Sequence, residues 1–203
     1  MEARGRVFLL ALALAGTGVM GLRAQKTPQE QTPPPELQAM MEARRRASEP
    51  GPQHLQLMLL AGDYATKDTY YLPGAEPETT EGAATLGSEM GERFLVEHHN
   101  GAYHGEPYVG LRIYGYNNGS KQYEGVWAYN GSTGLTILSG NSKDGGKTID
   151  FTASRRDNAT GKPMSMAITL KVLDPDHFEV EQKSTMPDGS PGPRVVSDYT
   201  RKI

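Results

Sequence analysis

Three histidines lie close together in the chain, at a spacing that could hold a metal ion or transfer a proton. His98, His99 and His104 fall in the segment EHHNGAYHGEP, which begins at Glu97 and has a second carboxylate at Glu106. Imidazole and carboxylate groups are zinc ligands, and the same groups act as general acids and bases. A zinc site needs three or four of them converging on one point. The elements that carry the histidines therefore decide whether this chemistry is available.

The segment is predicted to form a β-hairpin, and this prediction disfavours a metal site. Alternate residues of a strand point to opposite faces, so His98 and His99 cannot both reach one ion. Asn100 and Gly101 form a pair typical of tight turns, and we place the turn there. His104 would then return beside His98 or Glu97, which leaves a His98–His104 cross-strand pair as the one metal alternative. The favoured interpretation is a polar hairpin rim, and we predict no metal site.

Signatures of nucleophilic catalysis are absent from the sequence. The chain has no cysteine, no G-x-S-x-G and no S-x-x-K. Two carboxylates distant in sequence could act together, but nothing singles out such a pair. Haem needs only one axial histidine, and His98 or His177 could supply it. We predict no cofactor and assign no catalytic residues; a hydrolase or isomerase with an unidentified site is retained as a third alternative.

The N-terminus has the pattern of a secretory signal peptide. Arg4 and Arg6 precede an apolar run, Val7–Leu22, that is too short for an ordinary membrane span. Cleavage after Ala24 would make residues 1–24 the signal peptide. We therefore expect an exported protein, periplasmic or extracellular, with no stable membrane anchor after cleavage.

Composition narrows the possible partners. The formal net charge is −3 at pH 7, and the main basic cluster is Arg44–Arg46. Nucleic-acid affinity depends on dense arginine and lysine contacts to phosphates, so we expect no nucleic-acid partner. Without cysteine the chain forms no disulfides, and the domain must be held together by its core. We expect a monomer that takes a small-molecule ligand.

The chain divides into a linker and one domain. Residues 25–52 are a Pro-rich linker followed by a short helix over Pro35–Ser48. Leu55, Met58 and Leu59 then recur at helical spacing. Residues 53–203 form the predicted domain, which continues with short strands separated by Asn-Gly, Asp-Gly and Gly-Pro turns.

The strands alternate between apolar and polar residues. In MSMAITLKV, for example, Met164, Met166, Ile168 and Leu170 share one face. About ten such strands indicate an antiparallel meander, and closing it into a barrel removes exposed edges. We predict an all-β, up-and-down antiparallel barrel with a short N-terminal helical segment.

Several motifs resemble those of one protein family. PGPQHLQLMLLAGDY, GERFLVEHHNGAYHGEPYVGLRIYGYNN, KQYEGVWAYNGSTG and DYTRKI occur in the order and at the spacing seen in domain of unknown function family 1579, a mostly bacterial, secreted family. The resemblance implies a lipocalin-like (calycin) barrel with no established activity. It also implies a structural signature of Gly62, Tyr64 and Arg201, in which the arginine of the last strand stacks on the aromatic ring of the first. The family usually has tryptophan at position 64 and aspartate at position 117, where this chain has Tyr64 and Asn117.

Aromatic residues and one arginine fall on adjacent predicted strands. Such a surface suits a ligand site, which needs apolar area and a few fixed polar groups. We expect the ligand-binding residues to be Arg112, Tyr114, Tyr116, Trp127, Tyr129 and His98. The leading hypothesis is non-covalent binding of a small apolar or amphipathic molecule. The alternative is a non-catalytic structural or partner-binding domain whose barrel is filled by side chains.

Overall fold

The structure is a computed structural model that describes residues 33–158, 160–186 and 188–203. The expected signal peptide at residues 1–24 lies outside the described residues. Two helices precede ten strands. Their bounds are α1 Pro35–Ala47, α2 Pro52–Met58, β1 Gly62–Tyr71, β2 Glu78–Glu89, β3 Phe94–Tyr103, β4 Glu106–Asn117, β5 Gln122–Tyr129, β6 Thr136–Asn141, β7 Thr148–Arg156, β8 Pro163–Asp174, β9 His177–Thr185 and β10 Pro191–Arg201.

The ten strands form one closed antiparallel barrel. Each strand pairs with its neighbours in sequence, and β1 pairs with β10 to complete the ring. Closure leaves no strand edge unpaired, which is why a long meander of this kind is stable as a single sheet. The predicted all-β, up-and-down barrel with a short N-terminal helical segment is confirmed.

The interior follows the period-2 pattern of the sequence. In β8, Met164, Met166, Ile168 and Leu170 are all buried, and the residues between them face outward. Burying an aliphatic side chain of this size contributes about 1.5–3 kcal/mol. The strand faces that the sequence marks as apolar therefore build the core.

Helix α2 closes one end of the barrel. Pro52 begins the helix, and the Gly51 N–H donates to His54 Nδ1 at 3.0 Å. His54 and Leu57 are buried, and Leu57 belongs to the main core cluster. Leu60, just after the helix, belongs to the same cluster.

The apolar residues of the α2 segment do not all face the barrel. Of the residues at helical spacing, Met58 packs against the core, whereas Leu55 and Leu59 are 52% and 66% exposed. The face turned to the barrel carries His54 and Leu57. A helix face that includes a buried histidine is not found by a search for apolar residues alone.

Tyr64 and Arg201 meet at this closed end. The Arg201 guanidinium lies 4.9 Å from the centroid of the Tyr64 ring, the pairing that the family resemblance implied. The same guanidinium donates to the carbonyls of Ala61 and Leu59 at 2.7 and 2.9 Å. A Cβ at Gly62 would collide with Arg201, and the φ of Gly62 is +153°, so glycine is required.

The hairpin between β3 and β4 turns later than predicted. The turn lies at His104 and Gly105, whose φ angles are +52° and +76°, while Asn100 and Gly101 are paired within β3. Positive φ at both central positions is the requirement of a tight type I′ turn. Asn-Gly permits such a turn without forcing it, and here the longer ladder forms instead.

The longer hairpin removes the possible metal pair. His98 lies opposite Leu111, and His104 is in the turn, so the alternative of a His98–His104 cross-strand pair is wrong. Among the described residues, no group of three or more histidine, cysteine or carboxylate side chains is arranged to hold a metal ion.

Helix α1 lies on the outside, at the closed end. None of its residues is buried, and its C-terminal end is held by hydrogen bonds from Arg93 to Ser48 O and from Asn118 to the carbonyls of Ala47 and Glu49. Within the described part of the chain, no helix is long and apolar enough to cross a membrane.

Candidate functional site

The end of the barrel opposite α2 contains a cavity. Its volume is about 320 Å³, and it lies among the ends of the strands. Its lining residues include aromatic, sulfur-containing and charged side chains. They are Asp68, Tyr70, Leu72, His99, Tyr103, Tyr108, Arg112, Trp127, Tyr129, Arg155, Asp157, Met164, Gln182, Ser184, Met186, Pro193, Val195 and Ser197.

A buried ion pair lies at the floor of this cavity. Glu97 on β3 and Arg112 on β4 are directly opposite each other in the ladder, and Arg112 Nη1 donates to Glu97 Oε1 at 2.8 Å. Tyr199 donates to the same carboxylate oxygen at 2.7 Å, and the Tyr114 hydroxyl lies 3.4 Å from Oε2. The carboxylate therefore has a donor on each oxygen, as a buried charge requires.

His99 extends this network toward β1. Its Nε2 lies 3.0 Å from Asp68 Oδ2 and 3.2 Å from Thr66 Oγ1. Its Nδ1 lies 3.3 Å from the Tyr199 hydroxyl and 3.5 Å from Glu97 Oε1. Both ring nitrogens are thus engaged by protein groups. His99 cannot bind a metal or accept a substrate proton without breaking one of these contacts.

The network fixes the protonation states of its members. Burial alone would raise the pKa of Glu97, but Arg112 and the hydrogen bonds from His99 and Tyr199 lower it to about 2. Burial alone would lower the pKa of His99, but Asp68 and Glu97 raise it above its usual value. Burial and Glu97 raise the pKa of Tyr199 well above its usual range. The tyrosine hydroxyl therefore remains a proton donor to the carboxylate.

One wall of the cavity is a stack of aromatic rings and guanidinium groups. The Trp127 and Tyr129 rings are 5.0 Å apart and nearly parallel. Arg112 lies over Trp127 at 5.1 Å, and Arg155 lies over Tyr129 at 5.7 Å. The Trp127 N–H donates to the Tyr108 hydroxyl at 3.2 Å. Each cation–π contact contributes about 0.5–2 kcal/mol, depending on its desolvation, so the wall is held in place before any ligand arrives.

The structure brings together some of the expected ligand-binding residues. Arg112, Trp127 and Tyr129 line the cavity. Tyr114 faces the same interior but lies below the floor, where it is fully buried beside Glu97. Tyr116 lies at the other end of the barrel, against His54 and Tyr123.

His98 was expected in the site, but it points to the outer surface. It is exposed, whereas Glu97 and His99 on either side of it are buried. Alternation along β3 allows only one of two adjacent histidines to face inward. The inward histidine is His99, and His98 has no contact with the cavity.

Among the site residues that the sequence did not identify as ligand-binding are five of the polar network and the arginine–aromatic wall, and most of these five are charged. They are Asp68, Glu97, His99, Arg155 and Tyr199. The available signal was the alternation itself: Leu95, Glu97 and His99 share one face of β3. That face was not assigned to the interior because charged residues are normally placed in solvent.

The sequence match decides the family. The model of the family described as protein of unknown function (DUF1579) matches residues 49–201. The chain belongs to the DUF1579 family. The match begins just before α2 and ends at Arg201, so it includes every strand of the DUF1579 barrel.

A solved structure of low sequence identity shows the same fold. The crystal structure of Rv2717c from M. tuberculosis is 15% identical, with a TM-score of 0.54, and the alignment covers 76% of this chain and all of that one. The S-type phycobiliprotein lyase CPES from Guillardia theta is 9% identical, with a TM-score of 0.49, covering 76% of this DUF1579 chain and 99% of the lyase. At 15% identity the likeness to Rv2717c extends to the barrel fold and no further. No curated protein sequence matches this DUF1579 protein.

Proposed function

We propose that this DUF1579 protein binds a small apolar or amphipathic molecule, non-covalently, in the cavity at the open end of its barrel. The observation that supports the proposal is the cavity itself, at about 320 Å³, with an aromatic wall and a polar floor. Ligand pockets in proteins typically measure about 300–1,000 Å³ and combine apolar lining with a few placed polar groups.

The distribution of side chains in the barrel also supports binding at one end. Toward α2 the interior is filled by the main core cluster, which includes Leu57, Tyr64, Phe178 and Leu170. The Glu97–Arg112 network separates this filled part from the cavity. A barrel that served only as a packed scaffold would have no need of a half-empty end above a buried ionic floor.

The polar floor is organised in advance. Each charged group of the floor is already fixed by a protein partner, as in the contacts of His99 with Asp68 and of Arg112 with Glu97. A ligand that enters such a site does not have to order these side chains, so less of its binding energy is lost to entropy. This favours selective binding over non-specific adsorption of apolar compounds.

The position of Trp127 provides a direct test. It is the single tryptophan of the chain, and it lines the cavity. We expect excitation of Trp127 to produce saturable dansyl emission when dansylamide, a small neutral aromatic probe, is titrated into the protein.

Two serine variants make the test specific to the cavity. Ser184 lines it, whereas Ser165 is exposed on the outer face of β8. Ser184→Phe should reduce dansylamide affinity because the new ring occupies the cavity, and Ser165→Phe should not. Equal affinity in these two variants would mean that the probe binds elsewhere, as expected for a non-binding, structural barrel.

A further inference from the structure

We infer that the ligand carries an anionic head group, such as a carboxylate, and that Arg155 and Arg112 bind it. This inference rests on the proposed function, because it concerns the same cavity. It follows from which polar groups of the cavity are already used by the protein and which are not.

Arg112 has hydrogen-bond donors to spare. The residue is only 7% exposed, and all of its side-chain hydrogen bonds to described residues leave from Nη1, to Glu97 and Tyr199. Its Nε is buried without a partner in the described structure. The Nη2 group, on a side chain that lines the cavity, has no acceptor among the described residues. A ligand oxygen would supply one.

The charge of Arg155 has no ion-pair partner among the described residues. Its Nη1 donates to the Tyr129 hydroxyl at 2.5 Å, and its guanidinium lies over the same ring. No carboxylate of the described chain lies within ion-pair distance of it. By contrast, the charge of Arg112 is balanced by Glu97 at 2.8 Å. Arg155 would therefore supply the attraction for an anion, and Arg112 would supply additional donors.

The strand register places both arginines on the same inner surface. Glu97, Arg112, Trp127 and Thr136 are consecutive partners across β3, β4, β5 and β6. The Ile137–Ser154 pair sets the register of the next ladder, so Arg155 continues the same row onto β7. Because barrel strands are tilted, such a row climbs along the barrel axis. Arg112 accordingly lies at the floor and Arg155 nearer the mouth.

The acidic residues of the cavity could instead favour a cation, but each of them is already engaged by protein groups. Asp68 accepts from Ser197 on Oδ1 and contacts His99 through Oδ2. Asp157 Oδ1 accepts from the backbone N–H and the hydroxyl of Thr160, at 2.7 and 2.6 Å. The buried side-chain nitrogens of the cavity lining that have no hydrogen-bond partner among the described residues belong to guanidinium groups, Nε of Arg112 and Nε of Arg155. This asymmetry favours an anionic ligand over an amine.

Three dansyl probes that share one aromatic body test the inference. They are dansylglycine, dansylamide and dansyl-ethylenediamine, which carry a carboxylate, no charge and an ammonium group. We expect the full-length protein to bind dansylglycine about tenfold more tightly than dansylamide, and the amine most weakly. The net charge of −3 would favour the amine, so a preference for the acid must come from local groups.

Two adjacent arginines provide a matched pair of variants. Arg155 lines the cavity, whereas Arg156 is exposed and donates to Gly161 O outside it. Arg155→Gln should abolish the preference for dansylglycine over dansylamide, because it removes the unpaired positive charge from the cavity. Arg156→Gln removes the same charge and should retain the preference.

The possible outcomes test the anionic head group and the binding function of the cavity separately. Equal binding of the three probes, tighter binding of the amine, or the same loss of preference in both arginine variants would overturn the anionic head group and leave the proposed binding function standing. If the folded wild-type protein binds none of the three probes, both proposals are wrong.

Discussion

Arg112 and Glu97 form a 2.8 Å ion pair inside the barrel, where the glutamate is 1% exposed and the arginine 7%. Removing two charges from water costs several kcal/mol each, and only close pairing with further hydrogen bonds offsets this cost. Tyr199 supplies one of those bonds. The pair therefore holds the floor of the cavity in one arrangement, in addition to any contribution to stability.

Neutralising the glutamate should destabilise the protein strongly. Glu97→Gln would leave the buried guanidinium of Arg112 without its counterion, and we expect the free energy of unfolding to fall by about 3–5 kcal/mol. Glu181→Gln is the matched control, since Glu181 pairs with Arg194 near the surface and should cost about 1 kcal/mol or less. Urea denaturation of both variants measures the difference. Similar losses would contradict the assigned burial of the Glu97 pair.

Protonation of His99 should make stability depend on pH. The folded-state pKa of His99 is raised by Asp68 and Glu97 despite its burial, so the folded state binds this proton more tightly than the unfolded state does. The stabilisation of the folded state by protonated His99 is therefore complete below pH 6.5, the ordinary pKa of histidine. It is lost as the pH rises through the raised folded-state pKa of His99. We expect unfolding free energy measured across this range to decline in the wild type. In His99→Gln this part of the decline should disappear, and an unchanged profile would contradict the protonated network.

The position of the β3–β4 turn can be checked with two glycine variants. Gly105 has a φ of +76°, so Gly105→Ala should lower the free energy of unfolding by about 1 kcal/mol or more through backbone strain. Gly101 lies in the ladder, where an added Cβ meets its nearest neighbour at 3.5 Å, an ordinary contact. Gly101→Ala should therefore be better tolerated in thermal denaturation. If Gly101→Ala were the more destabilising of the two variants, the turn would instead lie at Asn100 and Gly101.

The closed end should depend on Arg201 more than on its neighbour. Arg201→Met keeps the aliphatic stem but loses the contact with Tyr64 and two hydrogen bonds to carbonyls, and we expect a loss of about 1–3 kcal/mol. Lys202→Met removes a charge from an exposed residue and should change the unfolding free energy little. If the two variants lower the unfolding free energy equally in guanidinium chloride denaturation, the stacking of Arg201 on Tyr64 contributes nothing to stability.

The export of the protein is a prediction from residues 1–24 alone. Cleavage after Ala24 would leave Gln25 as the first residue of the mature chain. N-terminal sequencing of the protein from the culture medium or periplasm should therefore begin at Gln25. A chain that retains Met1 in the cytoplasm would contradict this prediction.

The barrel could be predicted from the sequence because its signals are local. Alternation such as that of Met164, Met166 and Ile168 specifies a strand with one dry face, and glycine-containing turns separate successive strands. The turn at His104 was missed because two possible turns lie four residues apart. The choice between the two turns depends on strand pairing along the whole hairpin, which a short stretch of sequence does not reveal.

The site was harder to predict because its polar residues are inside. In β3, one phase carries Phe94, Val96 and His98, and the other carries Leu95, Glu97 and His99. The phase with the carboxylate is the buried one, against the usual preference, because Arg112 and Tyr199 provide partners from other strands. Such partners are up to 102 positions away in sequence. The cavity likewise exists only once distant strands have met.

Native mass spectrometry of the protein purified from its own host tests the binding function most directly. We predict that the wild-type protein carries a non-covalent small molecule, seen as added mass that is lost on denaturation. Ser184→Phe, which fills the cavity, should lack this mass, and Ser165→Phe on the outer face should keep it. A wild-type protein at its bare mass, or the same added mass in Ser184→Phe, would contradict ligand binding in the barrel.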